Sequence, residues 1–437
     1  MRIQSAFGRV GQFVVVFGSI LAIGKVHATF IGDYDLTESS RFAWILTYSA
    51  TCSLLAYSFG LPEQGVVGNR WKSALAASAS SCLLFIGVQT VIAQIVFPRF
   101  LLALSIPVVF ATLFIWSSLI ARFARIAADR ERVLLICDVI DTATVRSDVD
   151  FHTELPCVIA AVLNDTSQVT SDELMDLCET HTISLIVLSD EARNNAAVFE
   201  AVTRAHESGV RVRSLLDFYN QWLGKVPVRE LPATALLFDV RELHHVGYAR
   251  ASRLIDLASA SVGLVVLVIA IPFVLLGNTL GNRGPLFYSQ DRIGRAGVGF
   301  RIHKFRSMRP GASNGEWTQR NDSRVTAFGR FLRASHLDEL PQVLNILRGD
   351  LSIVGPRPEQ PRYVEHLAKT IPYYNSRHLV RPGLTGWAQV NYPYGADEID
   401  AFEKLQYEFW YLQHQSLTTD IRIIARTFRH VLGFKGQ

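Results

Sequence analysis

Ser335-His336-Leu337-Asp338-Glu339-Leu340-Pro341-Gln342 sets two adjacent carboxylates just ahead of a proline, and Val343, Leu344 and Leu347 follow at helical spacing. Proline fits a helix only in its first turn, where its missing N–H has no partner to lose. The stretch predicts a helix beginning near Leu337, with Asp338 and Glu339 in its first turn. The helix dipole there favours the ionised form of both carboxylates and draws anionic ligands. Neighbouring helical side chains diverge by about 100°, so the pair cannot close on one ion as a bidentate clamp. Both can reach a shared metal or phosphate from two sides. Acidic residues are also ordinary at a solvated helix start, so the surroundings decide what the pair does.

Those surroundings are cationic. Phe300 to Arg309 alternates and is strongly basic, carrying Lys304 and Arg306. Residues 310–322 are polar with two glycines and read as a mobile loop. Arg324, Arg330 and Arg333 come next. Downstream, Val354-Gly355-Pro356-Arg357-Pro358 holds an arginine stiffly between two prolines, a presentation that suits phosphate. The run from Val380 to Asn391 carries Arg381, a Pro382-Gly383 pair suited to a type II turn, Trp387 and Gln389. Trp387 suits a base, a sugar or the membrane interface. Ile399 to Leu432 reads as interfacial or packing helices.

Further out, the 437 residues suffice for two or three domains. Charged residues make up 19% and hydrophobic ones 49%, and the mean hydropathy of +0.21 is too high for an ordinary soluble protein. No basic helix or zinc-finger spacing points to nucleic acid. The five cysteines form no C-x-x-C pair and read as reduced and structural. Within residues 1–125, four apolar spans at 10–31, 42–60, 73–97 and 100–121 are each near the ~20 residues of a bilayer-crossing helix. The first has no small-x-small cleavage site near its end and is expected to stay. Acidic residues fill the first loop, whereas Arg70 and Lys72 fill the second and Arg122, Arg125, Arg130 and Arg132 follow the fourth span. Both ends of this bundle are therefore expected in the cytoplasm. Spans two to four carry no deep charge, which favours an anchor over a pump.

Residues 131–240 alternate apolar runs at 132–137, 158–163 and 183–188 with helical patterns, and predict a parallel α/β sheet. The turn Cys137-Asp138-Val139-Ile140-Asp141 has no glycine, so the domain is not expected to bind NAD in the usual way. From Arg250 to Gly281 the chain is apolar again, with Pro272 inside and arginines on both flanks. A kinked segment over about 254–280 that enters and leaves one leaflet satisfies both facts better than a straight crossing.

Taken together, residues 250–437 resemble the bacterial sugar transferase domain, the catalytic unit of monotopic phosphoglycosyl transferases. The apolar segment with Pro272, Lys304-Phe305-Arg306-Ser307-Met308, Leu337 to Gln342, Gly355-Pro356-Arg357-Pro358 and Arg381 to Asn391 carry the resemblance in family order. The four spans and the degenerate Rossmann-like domain at 131–240 resemble the long form, the undecaprenyl-phosphate sugar phosphotransferases. The implied fold is a four-helix transmembrane bundle, a Rossmann-like domain without its glycine-rich loop, and an α/β catalytic domain with a re-entrant membrane helix.

The implied reaction transfers a sugar 1-phosphate from a UDP-sugar to undecaprenyl phosphate and releases UMP, which starts exopolysaccharide, capsule or O-antigen synthesis. Asp338 would be the nucleophile, Glu339 and Asp338 would hold Mg²⁺, and Arg333 would steady the phosphoryl oxygens. Lys304, Arg306, Arg357, Arg381, Trp387 and Gln389 would bind substrate. The implied setting is the bacterial inner membrane, with membrane lipid as a partner, the catalytic domain cytoplasmic and a homodimer left open. Two other classes compete. A nucleotide-binding scaffold would do without the carboxylate pair. A dinucleotide-dependent sugar-modifying enzyme would need a glycine-rich turn and a Tyr-x-x-x-Lys pair, and residues 131–240 contain neither.

Overall fold

The apolar spans at the start of the chain become α1 (Arg2–Phe30), α2 (Ser39–Ser58), α3 (Arg70–Ile92) and α4 (Arg99–Ile126). The computed structural model describes residues 2–31, 39–62, 70–92, 98–126, 130–151, 155, 157–165, 169–228, 240–281, 284–309, 324–392 and 397–432. The end of the third span (93–97) and the loop expected at 310–322 lie outside them. The chain divides into two compact units, one centred on residues 1–128 and one on 129–423. In the first, Val16, Ile45, Tyr48, Phe85, Leu102 and Leu113 close on one another, while Leu83, Ile115 and Phe123 face outward bare. Helices apolar on both sides belong in lipid. Gly8–Phe30, Arg70–Thr90 and Leu101–Phe123 are long and apolar enough to cross a membrane, as is Val246–Gly281 of the second unit. α2 carries more hydroxyls. Thr47, Ser49, Thr51 and Ser58 return theirs to carbonyls four residues earlier, which masks their polarity.

In the second unit the three predicted runs become β1 (Glu131–Ile136), β2 (Cys157–Leu163) and β3 (Leu185–Leu188), a fourth strand β4 (Arg211–Ser214) follows, and all pair in parallel. The helices α5 (Val139–Phe151), α6 (Ser171–Thr180), α7 (Asp190–Asn194) and α8 (Ala196–Glu207) make the crossovers. The strand order is β2-β1-β3-β4. A Rossmann half runs 3-2-1-4, so the expectation of a Rossmann-like domain is corrected to the flavodoxin-like order. After β1, Asp138 Oδ1 accepts the Asp141 backbone N–H at 2.6 Å. A carboxylate thus caps the start of α5, where a pyrophosphate would otherwise be held.

A short helix α9 (Leu215–Phe218) leads to Lys225, whose ammonium is 1% exposed and donates to Asp148 at 2.6 Å and Glu403 at 2.8 Å. Beside it, Trp387 Nε1 donates to the Gly224 carbonyl at 2.6 Å. These bonds seat the parallel sheet on the segment that follows it. After α10 (Arg241–His244) comes α11 (Val246–Gly281), a single 36-residue helix that runs on through Pro272. One side of α11, at Asp256, Ala260, Leu267, Ala270, Val274 and Asn278, is buried. The other is bare: Val262, Val265, Val268, Ile269, Leu276 and Leu280 are each more than 60% exposed.

The covering layer begins with an antiparallel hairpin, β5 (Phe287–Ile293) and β6 (Gly299–Phe305), and continues through α12 (Ala327–Ala334), a 3₁₀ turn (Leu337–Gln342) and α13 (Val343–Arg348). Leu267 and Val274 of α11 pack with Phe305, Leu332, Leu337, Leu340 and Val343 in one core cluster. Then follow β7 (Ser352–Val354), α14 (Pro361–Thr370), a second 3₁₀ turn (Tyr374–Leu379), β8 (Gly383–Thr385), α15 (Trp387–Asn391), α16 (Glu398–Gln413) and α17 (Leu417–Leu432). β7 and β8 pair in parallel. The type II turn expected at Pro382-Gly383 is not formed, because Gly383 opens β8 without a positive φ. Its missing side chain serves close approach instead: a Cβ there would lie 2.1 Å from the Gly355 nitrogen.

Candidate active site

Four segments bring the site together. β6 carries Lys304, α12 carries Arg333, the 3₁₀ turn carries Asp338 and Glu339, and the loop after β7 carries Arg357. His336 joins α12 to the 3₁₀ turn in the left-handed region, φ 57°, a backbone state that non-glycine residues enter only when their surroundings enforce it. The helix expected from Leu337 is therefore a tight 3₁₀ turn first, with α geometry from Val343 onward.

Glu339 Oε1 accepts from Lys304 Nζ at 2.6 Å and from the Arg357 guanidinium at 2.8 Å. Among the described residues, Oε2 accepts no hydrogen bond. Burial works against the charge of Glu339, but Arg357 and Lys304 outweigh it and hold the carboxyl well below the usual range. Asp338 is buried, at 9% exposure, and its carboxylate accepts no hydrogen bond among the described residues. Burial first, then the charge of Glu339, push its pKa up, and Lys304, Arg333 and His336 only partly oppose them. At Asp338 desolvation and a like charge oppose the dipole of so short a turn, expected to favour the ionised form. Two neighbouring carboxyls are pushed in opposite directions, Glu339 down by its two cations and Asp338 up by burial and the adjacent charge.

The remaining predicted residues sit elsewhere in the network. Arg333 Nε donates to Ser307 Oγ at 2.9 Å, beside the pair. Arg306 is buried and donates to Pro285 O, Met308 O and Asn278 Oδ1. Arg381 donates to Glu242 Oε1 at 2.7 Å and to Asp256 Oδ2 at 3.2 Å. Trp387 stacks on Trp410 with centroids 4.4 Å apart, and Gln389 donates to the Leu384 carbonyl. In this structure Lys304 and Arg357 meet the carboxylate pair. Arg306 is bound to Asn278 near the end of α11, Arg381 to Glu242 of α10 and Asp256 in the first third of α11, and Trp387 to the turn before Lys225.

Residues without a prior assignment complete the frame. Arg377 forms a bidentate pair with Glu408 at 2.8 and 2.7 Å and donates to the Arg357 carbonyl at 2.8 Å, which fixes the loop that presents Arg357. Asp256 Oδ1 accepts from Ser352 Oγ and the Ile353 N–H, which ties α11 to β7. A lone Asp inside an apolar run was the readable signal for the second. Arg377 and Glu408 carried none.

A family model described as bacterial sugar transferase matches residues 247–434. The chain is similar to the UDP-N-acetylgalactosamine-undecaprenyl-phosphate N-acetylgalactosaminephosphotransferase of Aeromonas hydrophila, 43% identical over 35% of this chain and 37% of that protein. It is 35% identical to the UDP-glucose:undecaprenyl-phosphate glucose-1-phosphate transferase of Xanthomonas campestris pv. campestris over 60% of this chain and 56% of that one. The match thus spans 37% and 56% of the length of these two relatives. A UDP-glucose:undecaprenyl-phosphate glucose-1-phosphate transferase of Caulobacter vibrioides is 37% identical over 48% of this chain and 82% of its own length. With four-fifths of one relative covered and the family region running from α11 to α17, the chain belongs to the bacterial sugar transferase family.

Proposed function

We propose that the second unit moves a sugar 1-phosphate from a UDP-sugar to undecaprenyl phosphate, releasing UMP, at the start of exopolysaccharide, capsule or O-antigen synthesis. The carboxylate pair carries this reading: a buried Asp338 with no hydrogen bond to its carboxylate among the described residues, beside a Glu339 locked between two cations. An Asp338 oxygen attacks the β-phosphorus of the donor, and the bond from that phosphorus to the bridging oxygen breaks. UMP leaves with the bridging oxygen and its electron pair. An oxygen of the lipid phosphate then attacks the aspartyl phosphosugar and frees the carboxylate. A covalent step divides one difficult transfer into two and lets a soluble donor and a lipid acceptor use the site in turn. Raised basicity makes Asp338 the better nucleophile, and Lys304, Arg333 and Arg357 offset the charge that gathers at phosphorus.

Asp338 and Glu339 Oε2 offer hard oxygen donors, which suit Mg²⁺, an ion held by one or two carboxylates with substrate phosphates and water. Among the described residues no three His, Cys, Asp or Glu side chains gather into a cage. Bound there, Mg²⁺ would neutralise part of the diphosphate charge.

Asp256 and Asn278 stand 22 positions apart on α11, about 33 Å along the axis, enough to cross a bilayer. Yet both are hydrogen-bonded within one folded unit, at Ser352 and Arg381 for one and at Arg306 for the other. This supports a helix that returns to, or lies along, the cytoplasmic leaflet of the inner membrane with the site at headgroup height. Ser289→Cys should resist labelling from outside the cell. Efficient external labelling would place the unit on the far side.

The related proteins differ in sugar, N-acetylgalactosamine in one and glucose in another, so the donor is tested with a panel of UDP-sugars. With the right donor and no lipid, rapid-quench assays should show a burst of about one UMP per enzyme, the mark of a covalent intermediate. UDP as product, or UMP only after lipid is added, would sink the proposal.

A further inference from the structure

A groove of about 670 Å³ runs beside the first turns of α11 and takes no part in the chemistry above. Val246, Arg250, Leu254 and Leu257 follow at helical spacing and share one face. The three apolar members are 61%, 67% and 36% exposed, and the stripe runs on into the bare side of α11. Arg250 sits in its middle and has no hydrogen bond or ion pair among the described residues. Arg253 is fixed at the groove by donating to the carbonyls of Ile346 and Leu347 at 2.6 and 2.8 Å. Arg295 is 44% exposed and lies 3.7 Å from Glu242, which Arg381 already holds at 2.7 Å. Four guanidiniums therefore line the groove with one carboxylate, Glu242, in its wall, and Asp256 behind Arg381 at 3.2 Å.

A stripe this apolar belongs in the lipid interface, and Arg250 cannot be desolvated between Val246 and Leu254 without an anion. The anion present at that depth is a headgroup phosphate, which guanidinium forks grip in two-point fashion. The excess of arginines disfavours a headgroup that brings its own cation. We propose that this groove binds the headgroup of an anionic phospholipid, separately from both substrates, and so sets the depth and tilt of α11. The inference requires only that the bare side of α11 meets lipid.

Native mass spectrometry of the purified full-length protein in detergent tests it, by titration with phosphatidylglycerol and, separately, phosphatidylcholine. Phosphatidylglycerol should bind more tightly. Arg250→Gln should weaken it by about fivefold, the weight of one basic residue at an anionic surface, with the melting midpoint unchanged. Adding Arg295→Gln should weaken it further, and Arg250→Lys, which keeps the charge but not the two-point grip, should fall between the unaltered protein and Arg250→Gln. Equal binding of the two lipids, or no effect of the glutamine variants, overturns the proposal. Displacement by millimolar inorganic phosphate would make this a free-phosphate site. Displacement by undecaprenyl phosphate would make it part of the acceptor site. Either result also overturns it.

Discussion

Asp338→Asn should abolish turnover while leaving the protein as stable as before or more so. Loss of a covalent nucleophile costs about a thousandfold or more, and the amide keeps the size and shape of the carboxyl. The stability half follows from linkage. The folded-state pKa of Asp338 is raised, by burial and then by Glu339, so the folded protein holds that proton more tightly than the unfolded chain. The stabilisation from the group is complete below the unfolded pKa of about 3.9 and is lost as pH rises through the folded one. At neutral pH an ionised Asp338 thus works against the fold, and asparagine relieves it. UMP release in the presence of lipid measures the first effect, and thermal melting the second. Near-normal turnover would transfer the attack to the lipid phosphate itself. A large drop in melting midpoint would mean that Asp338 holds the turn together.

Breaking the Arg377–Glu408 pair should have the largest effect on stability. Both side chains are 5% exposed, and removing one partner leaves the other charged and buried, a cost of about 3–5 kcal/mol. In a unit of this size that is a fall of roughly 5–8 °C in melting midpoint. Arg377→Met also frees the Arg357 carbonyl, so protein that still folds should lose donor affinity as Arg357 leaves Glu339. The double variant Arg377→Met, Glu408→Leu removes both charges and should recover part of the stability but none of the affinity. A single-variant loss under about 1 kcal/mol, the range of exposed pairs, would show that water reaches the pair.

Segments were more legible than their arrangement. Apolar runs placed β1 to β3 within a few residues, because a buried strand needs such a run whatever its neighbours. Strand order leaves no such trace, and the flavodoxin-like order emerged only from the pairing. Asp338, Glu339, Lys304 and Arg357 were legible as a charged constellation, since few folds gather such groups without a ligand. Arg306 and Arg381 read the same way, but an arginine aimed at a phosphate and one aimed at Asn278 or Asp256 look alike in a sequence. The Pro382-Gly383 pair was ambiguous for a similar reason. Glycine serves a positive φ or a close backbone contact, and only the approach of Gly355 decides between them. The opposite shifts of Asp338 and Glu339 were hidden, since they depend on which oxygen meets which cation.

The polar ties along α11 also impose an order in time. Asn278 meets Arg306 only 28 residues later in the chain, whereas Asp256 waits 96 residues for Ser352 and 125 for Arg381. At about 5–20 residues per second, the ribosome delivers Arg381 roughly 6–25 s after Asp256. Through that interval the most apolar helix of the chain is complete, with an acidic side chain in its first third that has none of its final partners. A segment fixed in its final place before that point would hold the Asp256 carboxylate away from Ser352 and Arg381, so the two hydrogen bonds date the docking of α11 to after the catalytic layer is made.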